Sequence, residues 1–204
     1  LSPGTDRAGS ADPDPAAPDT SGADPVGPPA SPLPGGVLIR PGVRAEVEAI
    51  RDVEVDAGRR FGDVGLPEVA EDEPPSAAEL GDAIDGGLLW VAVEGDEVVG
   101  YARALDLDGQ PHLEQLSVRS GHGGRGIGTA LIEVVAGWAR RRGGTTLTLS
   151  TFRDVAFNGP LYARRGFRVL APEELDERFL ALRAHEADLG LDVTARVVMR
   201  RDLT

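Results

Sequence analysis

The run Gly121-His122-Gly123-Gly124-Arg125-Gly126-Ile127-Gly128 constrains this chain more than any other feature. Five of its eight residues are glycine. It stands between a β-rich run ending at Val118 and a stretch in which Ile127, Leu131, Val134 and Trp138 recur at helical spacing. A loop without Cβ atoms lets its backbone N–H groups come close to an anion, and a helix that follows adds the positive end of its dipole. A pyrophosphate is the natural guest.

Two frames fit the loop. Gly121-x-Gly123-x-x-Gly126 satisfies the dinucleotide pattern, which also requires an acid about 20 residues further on, at the end of the next strand. The next strand, residues 145–151, contains no acid. A dinucleotide unit is also not expected after the three β-rich runs at residues 88–94, 97–106 and 110–118. These are separated by the turn pairs Gly95-Asp96 and Asp108-Gly109 and predict an antiparallel meander.

Around the meander, residues 37–40 predict a short strand, and Val43, Val47, Ile50 and Val53 a helix. The acid- and Pro-rich segment 61–76 reads as a loop. Ser76 with Glu79 makes a capping box for a helix ending near residues 85–87. After the glycine loop come a helix, the strand 145–151, a short helix over 156–165, a strand at 167–170, a helix over 172–188 and a last strand at 193–200. This order predicts an α+β fold with one β-loop-α-β unit at its centre. Residues 1–36 are Pro, Ala, Gly, Ser and Asp with few apolar side chains, so a disordered tail is expected before a single domain over 37–204.

In the second frame, Val118 to Gly128 with its G-R-G-I-G-T-A-L ending resembles the acetyl-CoA motif of the GNAT N-acyltransferases, Q/R-x-x-G-x-G/A. Gly123 stands where Gln or Arg is usual, which removes one side chain near the phosphates and no backbone donor. A second stretch, Asn158-Gly159-Pro160-Leu161-Tyr162 followed by Gly166-Phe167, resembles the later motif of the same family. Asn158 suits an N-cap there, and Pro160 suits the first helical turn. Together with the loop at 61–76, this stretch looks like one bacterial subgroup.

The resemblance implies an α/β/α sandwich with a mixed, mainly antiparallel sheet and splayed central strands. It implies acetyl-CoA as cosubstrate, held by Leu116, Ser117, Val118, Gly123, Gly124, Arg125, Gly126, Ile127, Gly128, Thr129, Asn158 and Tyr162. Within that frame the Val118 N–H polarises the thioester carbonyl and Tyr162 protonates the departing thiolate. The alternative in another class is a non-catalytic acyl-CoA-binding module.

Acyl transfer to an amine also needs a proton acceptor. Glu114 is the candidate: strand alternation puts it on one face with Leu116 and Val118, where an apolar setting raises a carboxyl pKa. His112, on the same face, is the second choice, and a base from another loop, acting directly or through water, stays open. Phe61, Glu68, Glu73, Phe152 and Arg153 are candidates for the acceptor pocket.

A net charge of −13, with all 21 basic residues Arg, disfavours nucleic acid and anionic membranes as partners. Absence of Cys excludes disulfides and thiolate chemistry, and with no visible signal sequence it points to the cytoplasm. The acceptor is expected to be a small amine or a peptide. Four classes stay open: amino acids and polyamines, aminoglycoside-like compounds, protein N-termini and protein lysines. A homodimer is also left open.

Overall fold

The computed structural model describes residue 33 and residues 35–203. The tail expectation for 1–36 lies largely outside them. Leu33, counted with the tail, bridges to Val37, its N–H donating to the Val37 carbonyl at 2.9 Å, and packs on the core.

One seven-stranded sheet carries the fold, in the order β1-β2-β3-β4-β5-β7-β6. The strands are β1 (Leu38–Pro41), β2 (Leu89–Glu94), β3 (Glu97–Leu107), β4 (Gln110–Val118), β5 (Thr146–Phe152), β6 (Arg168–Val169) and β7 (Arg196–Asp202). The meander expected over β2, β3 and β4 is antiparallel throughout, and among the described residues only β4 and β5 run parallel.

Helices cover both faces. On one lie α4 (Ile127–Arg141) and α5 (Gly159–Ala163), packed through Ile127, Leu131, Val135, Trp138 and Tyr162 onto Leu113, Leu147, Leu149 and Met199. Val135 rather than Val134 belongs to the buried stripe; Val134 packs at its edge. On the other face α1 (Val47–Gly58) and α3 (Ala77–Asp85) bury Val47, Ile50, Val53 and Leu80 against Leu89, Val91 and Tyr101. Further along that face α6 (Glu177–Asp188) seats Phe179 against Leu170 and Val198. Each fully buried Leu or Ile contributes about 1.5–3 kcal/mol, so both layers are anchored independently of any ligand.

The Ser76 capping box forms as expected, with the Glu79 N–H donating to Ser76 Oγ at 3.2 Å. The segment expected to be loop contains a 3₁₀ turn, Arg59–Val64, and a one-turn helix α2, Pro67–Ala70. Pro67 at the first helical position starts α2, a local effect that the acidic composition obscures.

Two irregularities shape the centre of the sheet. β4 and β5 pair only at His112↔Thr148 and Leu113↔Leu149, then diverge toward Val118 and Phe152. The β3–β4 register also shifts: Arg103 faces Gln115 but Ala104 faces Leu113, so Glu114 is the extra residue of a β-bulge.

Candidate active site

The bulge overturns the expected alternation. Leu116 and Val118 pack on the α4 side. Glu114 points to the opposite side, where it forms an ion pair with Arg103. Gln115 and Ser117 share that side. Gln115 Nε2 donates to Glu54 Oε1 at 2.6 Å, and Ser117 Oγ donates to Glu54 Oε2 at 2.6 Å. Ser117 therefore does not line the same channel as Leu116. Two successive residues, Glu114 and Gln115, face one way because the bulge absorbs half a pleat.

Burial raises the Glu114 carboxyl above its ordinary range, while the Arg103 guanidinium opposes that rise and Glu79 adds to it. His112 does lie on the same face as Glu114. Its Nδ1 is 2.9 Å from Thr148 Oγ1, and that hydroxyl donates to the Pro111 carbonyl at 3.1 Å. The Thr148 proton is thereby used, so His112 carries its proton on Nδ1 and Nε2 keeps a lone pair. Burial holds the imidazole down to about 4, so it is neutral at physiological pH.

Where β4 parts from β5, its outward amides have no strand beside them. The Arg119 N–H donates to the Val99 carbonyl at 2.9 Å. Antiparallel alternation then turns the N–H groups of Val118 and Leu116 away from β3, into the opening. The opening leads to the glycine loop. Gly124 and Gly126 adopt φ of 75° and 84°, the left-handed region that glycine enters without strain. Gly126 caps α4 with no side-chain bond, leaving the N–H groups of Ile127, Gly128 and Thr129 at the helix start free for an anion. Gly123, by contrast, is extended.

Arg125 is not a free cation at this loop. Its guanidinium lies 2.5 Å and 3.1 Å from the Glu94 carboxylate, which also meets His122 Nε2 at 3.0 Å. Arg125 and His122 hold the Glu94 carboxyl down to about 2. A cation beside the loop without such a partner is Arg165, whose Nε donates to Thr129 Oγ1 at 2.8 Å and which meets no carboxylate among the described residues.

Across the opening, α5 begins at Gly159. A Cβ there would fall inside contact distance of the Arg153 carbonyl oxygen, with the Phe152 carbonyl oxygen at 3.1 Å. This close approach sets Asn158 against β5. Asn158 does not cap α5 with its side chain as expected. Its Nδ2 donates to Thr151 Oγ1 at 3.0 Å, and its Oδ1 is buried with no donor among the described residues. Tyr162 is buried edge-on against Phe167, with ring centroids 5.8 Å apart, and burial raises its phenol well above the usual value.

Of the pocket candidates, Phe61 and Phe152 meet, with ring centroids 5.6 Å apart, and Phe157 joins them at 5.1 Å from Phe61. This three-ring wall holds the 3₁₀ turn Arg59–Val64 against the end of β5, where β5 has parted from β4. Glu68 and Glu73 face solvent on the surface beyond it, and Arg153 turns outward to Asp154 at 3.2 Å. Those three are not brought into the wall.

Sequence reasoning missed Glu54, Phe157 and Arg165. Glu54 follows Ile50 by one helical turn and abuts Val53, so an acid at the edge of the buried stripe was the available signal. It accepts from Tyr101 Oη at 2.7 Å as well as from Gln115 and Ser117.

These features fit acetyl-CoA. Free helix-start amides and Arg165 suit its phosphates. The unpaired β4 edge and the buried Asn158 Oδ1 suit the amide groups of its pantetheine arm.

The fold is shared with an acetyltransferase of the GNAT family from Staphylococcus aureus Mu50, with a TM-score of 0.64 and 15% identity over 82% of this chain and 99% of that one. It is also shared with the PaiA N-acetyltransferase of Thermoplasma acidophilum, solved in complex with coenzyme A, with a TM-score of 0.59 and 14% identity over 81% and 98% of the two chains. N-acetyltransferase 8F1 of Rattus norvegicus is 35% identical over 102 residues, which are 47% of this chain and 44% of that protein. N-acetyltransferase family 8 member 2, also from Rattus norvegicus, is 38% identical over 88 residues, 40% of this chain and 39% of that protein. The chain thus spans less than half the length of these curated relatives. Residues 50–167, more than half of the chain, match the acetyltransferase (GNAT) family. That match takes in the bulged strand, the glycine loop, Asn158 and Tyr162, and the chain belongs to this family.

Proposed function

We propose that this protein transfers an acetyl group from acetyl-CoA to an amine, with the coenzyme entering on the α4–α5 side of the sheet and the amine on the α1–α6 side. The observation that carries the reading is the parting of β4 and β5 beside a glycine loop whose helix-start amides are free. The open strands make a passage through the sheet, so two reactants can meet from opposite faces.

Bound acetyl-CoA supplies an activated thioester. The Val118 N–H, aimed into the opening, donates to the carbonyl oxygen as it gains negative charge; loss of one such donor typically costs about 10²- to 10³-fold in rate. Glu114, turned by the bulge toward the amine side, accepts the proton that the amine loses. Tyr162 donates a hydrogen bond to the departing sulfur. Its raised pKa makes full proton transfer to a thiolate of pKa near ~8.5 uphill, so it steadies the leaving group and keeps its own proton. The acidic, Cys-free composition is in keeping with a cytoplasmic site of action.

Thermal melts test the coenzyme assignment. Acetyl-CoA at ~100-fold its Kd adds about 2.7 kcal/mol, an expected rise of roughly 5–10 °C, whereas NAD leaves the melting temperature unchanged. Arg165→Gln shrinks the shift with acetyl-CoA, because an ionised donor is lost from the phosphate end. A shift with NAD alone would return the loop to the dinucleotide frame. Thiol release on adding amines separates an enzyme from a binding module.

A further inference from the structure

The acceptor side of the opening is walled by charged residues whose partners are built in. Glu54 is occupied by Tyr101, Gln115 and Ser117. Glu114 is paired with Arg103. Glu186 of α6 accepts from Ser150 Oγ at 2.8 Å and Arg196 Nη2 at 2.7 Å, and is paired with Arg183 as well. Asp56 accepts from the Ser120 N–H at 2.7 Å. No carboxylate of this wall is left to draw in a polycation.

One charge in the wall is left over, and it is positive. The Arg60 guanidinium lies 3.7 Å from the centroid of the Phe157 ring and meets no carboxylate within 4 Å among the described residues. Partial burial lowers its pKa, because the stack removes water from one face of the guanidinium without supplying a counter-ion. Most arginines of the described residues do have such a partner, in a chain with 34 acids. A guanidinium lying over a ring is covered on one face only, and the N–H groups around its edge stay available to a ligand. Their fork matches the two oxygens of a carboxylate. Beside it stands the Phe61–Phe152–Phe157 wall, which suits an apolar side chain.

We infer that the acceptor is an amine bearing a carboxylate and an apolar side chain, of the free amino acid type, with Arg60 binding the carboxylate at the mouth of the pocket. This rests on the acyltransferase reading above and narrows its substrate class. Polyamines, aminoglycoside-like compounds, protein N-termini and protein lysines carry no carboxylate beside the reacting amine, and polyamines and aminoglycoside-like compounds would also bring a second cation against Arg60.

Matched acceptors test it: an apolar amino acid such as L-phenylalanine or L-leucine, its amide, and its decarboxylated amine, assayed by thiol release from acetyl-CoA. Wild-type protein is expected to use the amino acid with a kcat/KM at least about 10-fold above both uncharged analogues. An ionised hydrogen bond is typically worth a factor of that size. Arg60→Leu abolishes the preference, mainly through KM, and leaves the decarboxylated amine as good a substrate as before or a better one; Arg60→Lys keeps part of the preference. Equal or better use of the decarboxylated amine by wild-type protein overturns the inference while the acyltransferase reading stands, and this comparison needs no variant to fold. A preference that survives Arg60→Leu also overturns it. Failure to acetylate any amine, in a protein that acetyl-CoA stabilises, overturns the acyltransferase reading itself and this inference with it.

Discussion

Glu114→Gln is expected to lower kcat by about 10²- to 10⁴-fold and to leave acetyl-CoA affinity nearly unchanged. The amide keeps the shape of the carboxylate at the bulge but cannot take up the amine's proton. Part of the loss should return at high pH, where more of the amine is already deprotonated. The pairing with Arg103 gives a second handle. Arg103 opposes the rise that burial causes in the Glu114 pKa. Removing that cation, as in Arg103→Leu, raises the carboxyl further, so the acid limb of the pH–rate profile moves to higher pH. Paired pH profiles of the two variants with one good amine check both points. A Glu114→Gln protein with near wild-type kcat across the pH range would transfer the role to His112. The Nε2 lone pair of His112 lies on the same face, and its low pKa leaves it unprotonated throughout.

Gly159→Ala is expected to damage the fold and the coenzyme site together. The added Cβ would be driven into the Arg153 and Phe152 carbonyl oxygens, which are backbone atoms and cannot rotate away. Forced overpacking of this kind costs about 1–3 kcal/mol, and more where backbone must move. For a domain of this size that corresponds to a fall of roughly 3–10 °C in melting temperature. The shift also carries Asn158 off Thr151, so acetyl-CoA affinity falls in the same variant. Gly58→Ala, away from the glycine loop, is the control, since a Cβ there meets only the Ala70 carbonyl oxygen at 3.8 Å, an ordinary contact. Melting curves and acetyl-CoA titration of both variants decide it. A Gly159→Ala protein as stable as wild type would mean that α5 slides along β5 at no cost.

Much of the architecture is legible from local signals. The meander turns, the Ser76–Glu79 box and the apolar stripe after Gly126 all act within a few residues of one another, so the pattern and the physics share a length scale. The bulge at Glu114 does not. Strict alternation is the natural reading of H-L-E-Q-L-S-V, and only the fit of β4 against β3 reveals that one residue is surplus. The same limit applies to Arg125 and Arg165. Both are basic and both flank the glycine loop in the fold, but which one is neutralised depends on Glu94, 31 residues away from Arg125. Arg60 lay one residue from a named candidate, Phe61, and its stacking on Phe157 is a contact between segments about a hundred residues apart in the chain.

The parting of β4 and β5 has a further consequence for the resting protein. Along the end of β4 the backbone amides alternate between two fates: those of Ser117 and Arg119 are tied to β3, while those of Leu116 and Val118 face a gap. Hydrogen–deuterium exchange without ligand should therefore be two-toned along four consecutive residues, slow, fast, slow, fast when read backward from Arg119. Acetyl-CoA should slow the fast pair and leave the slow pair as it was. Uniform protection across all four without ligand would mean that the strand edge is closed in solution. The fold thus leaves part of its own hydrogen bonding unfinished, and on the proposed reading acetyl-CoA completes the sheet.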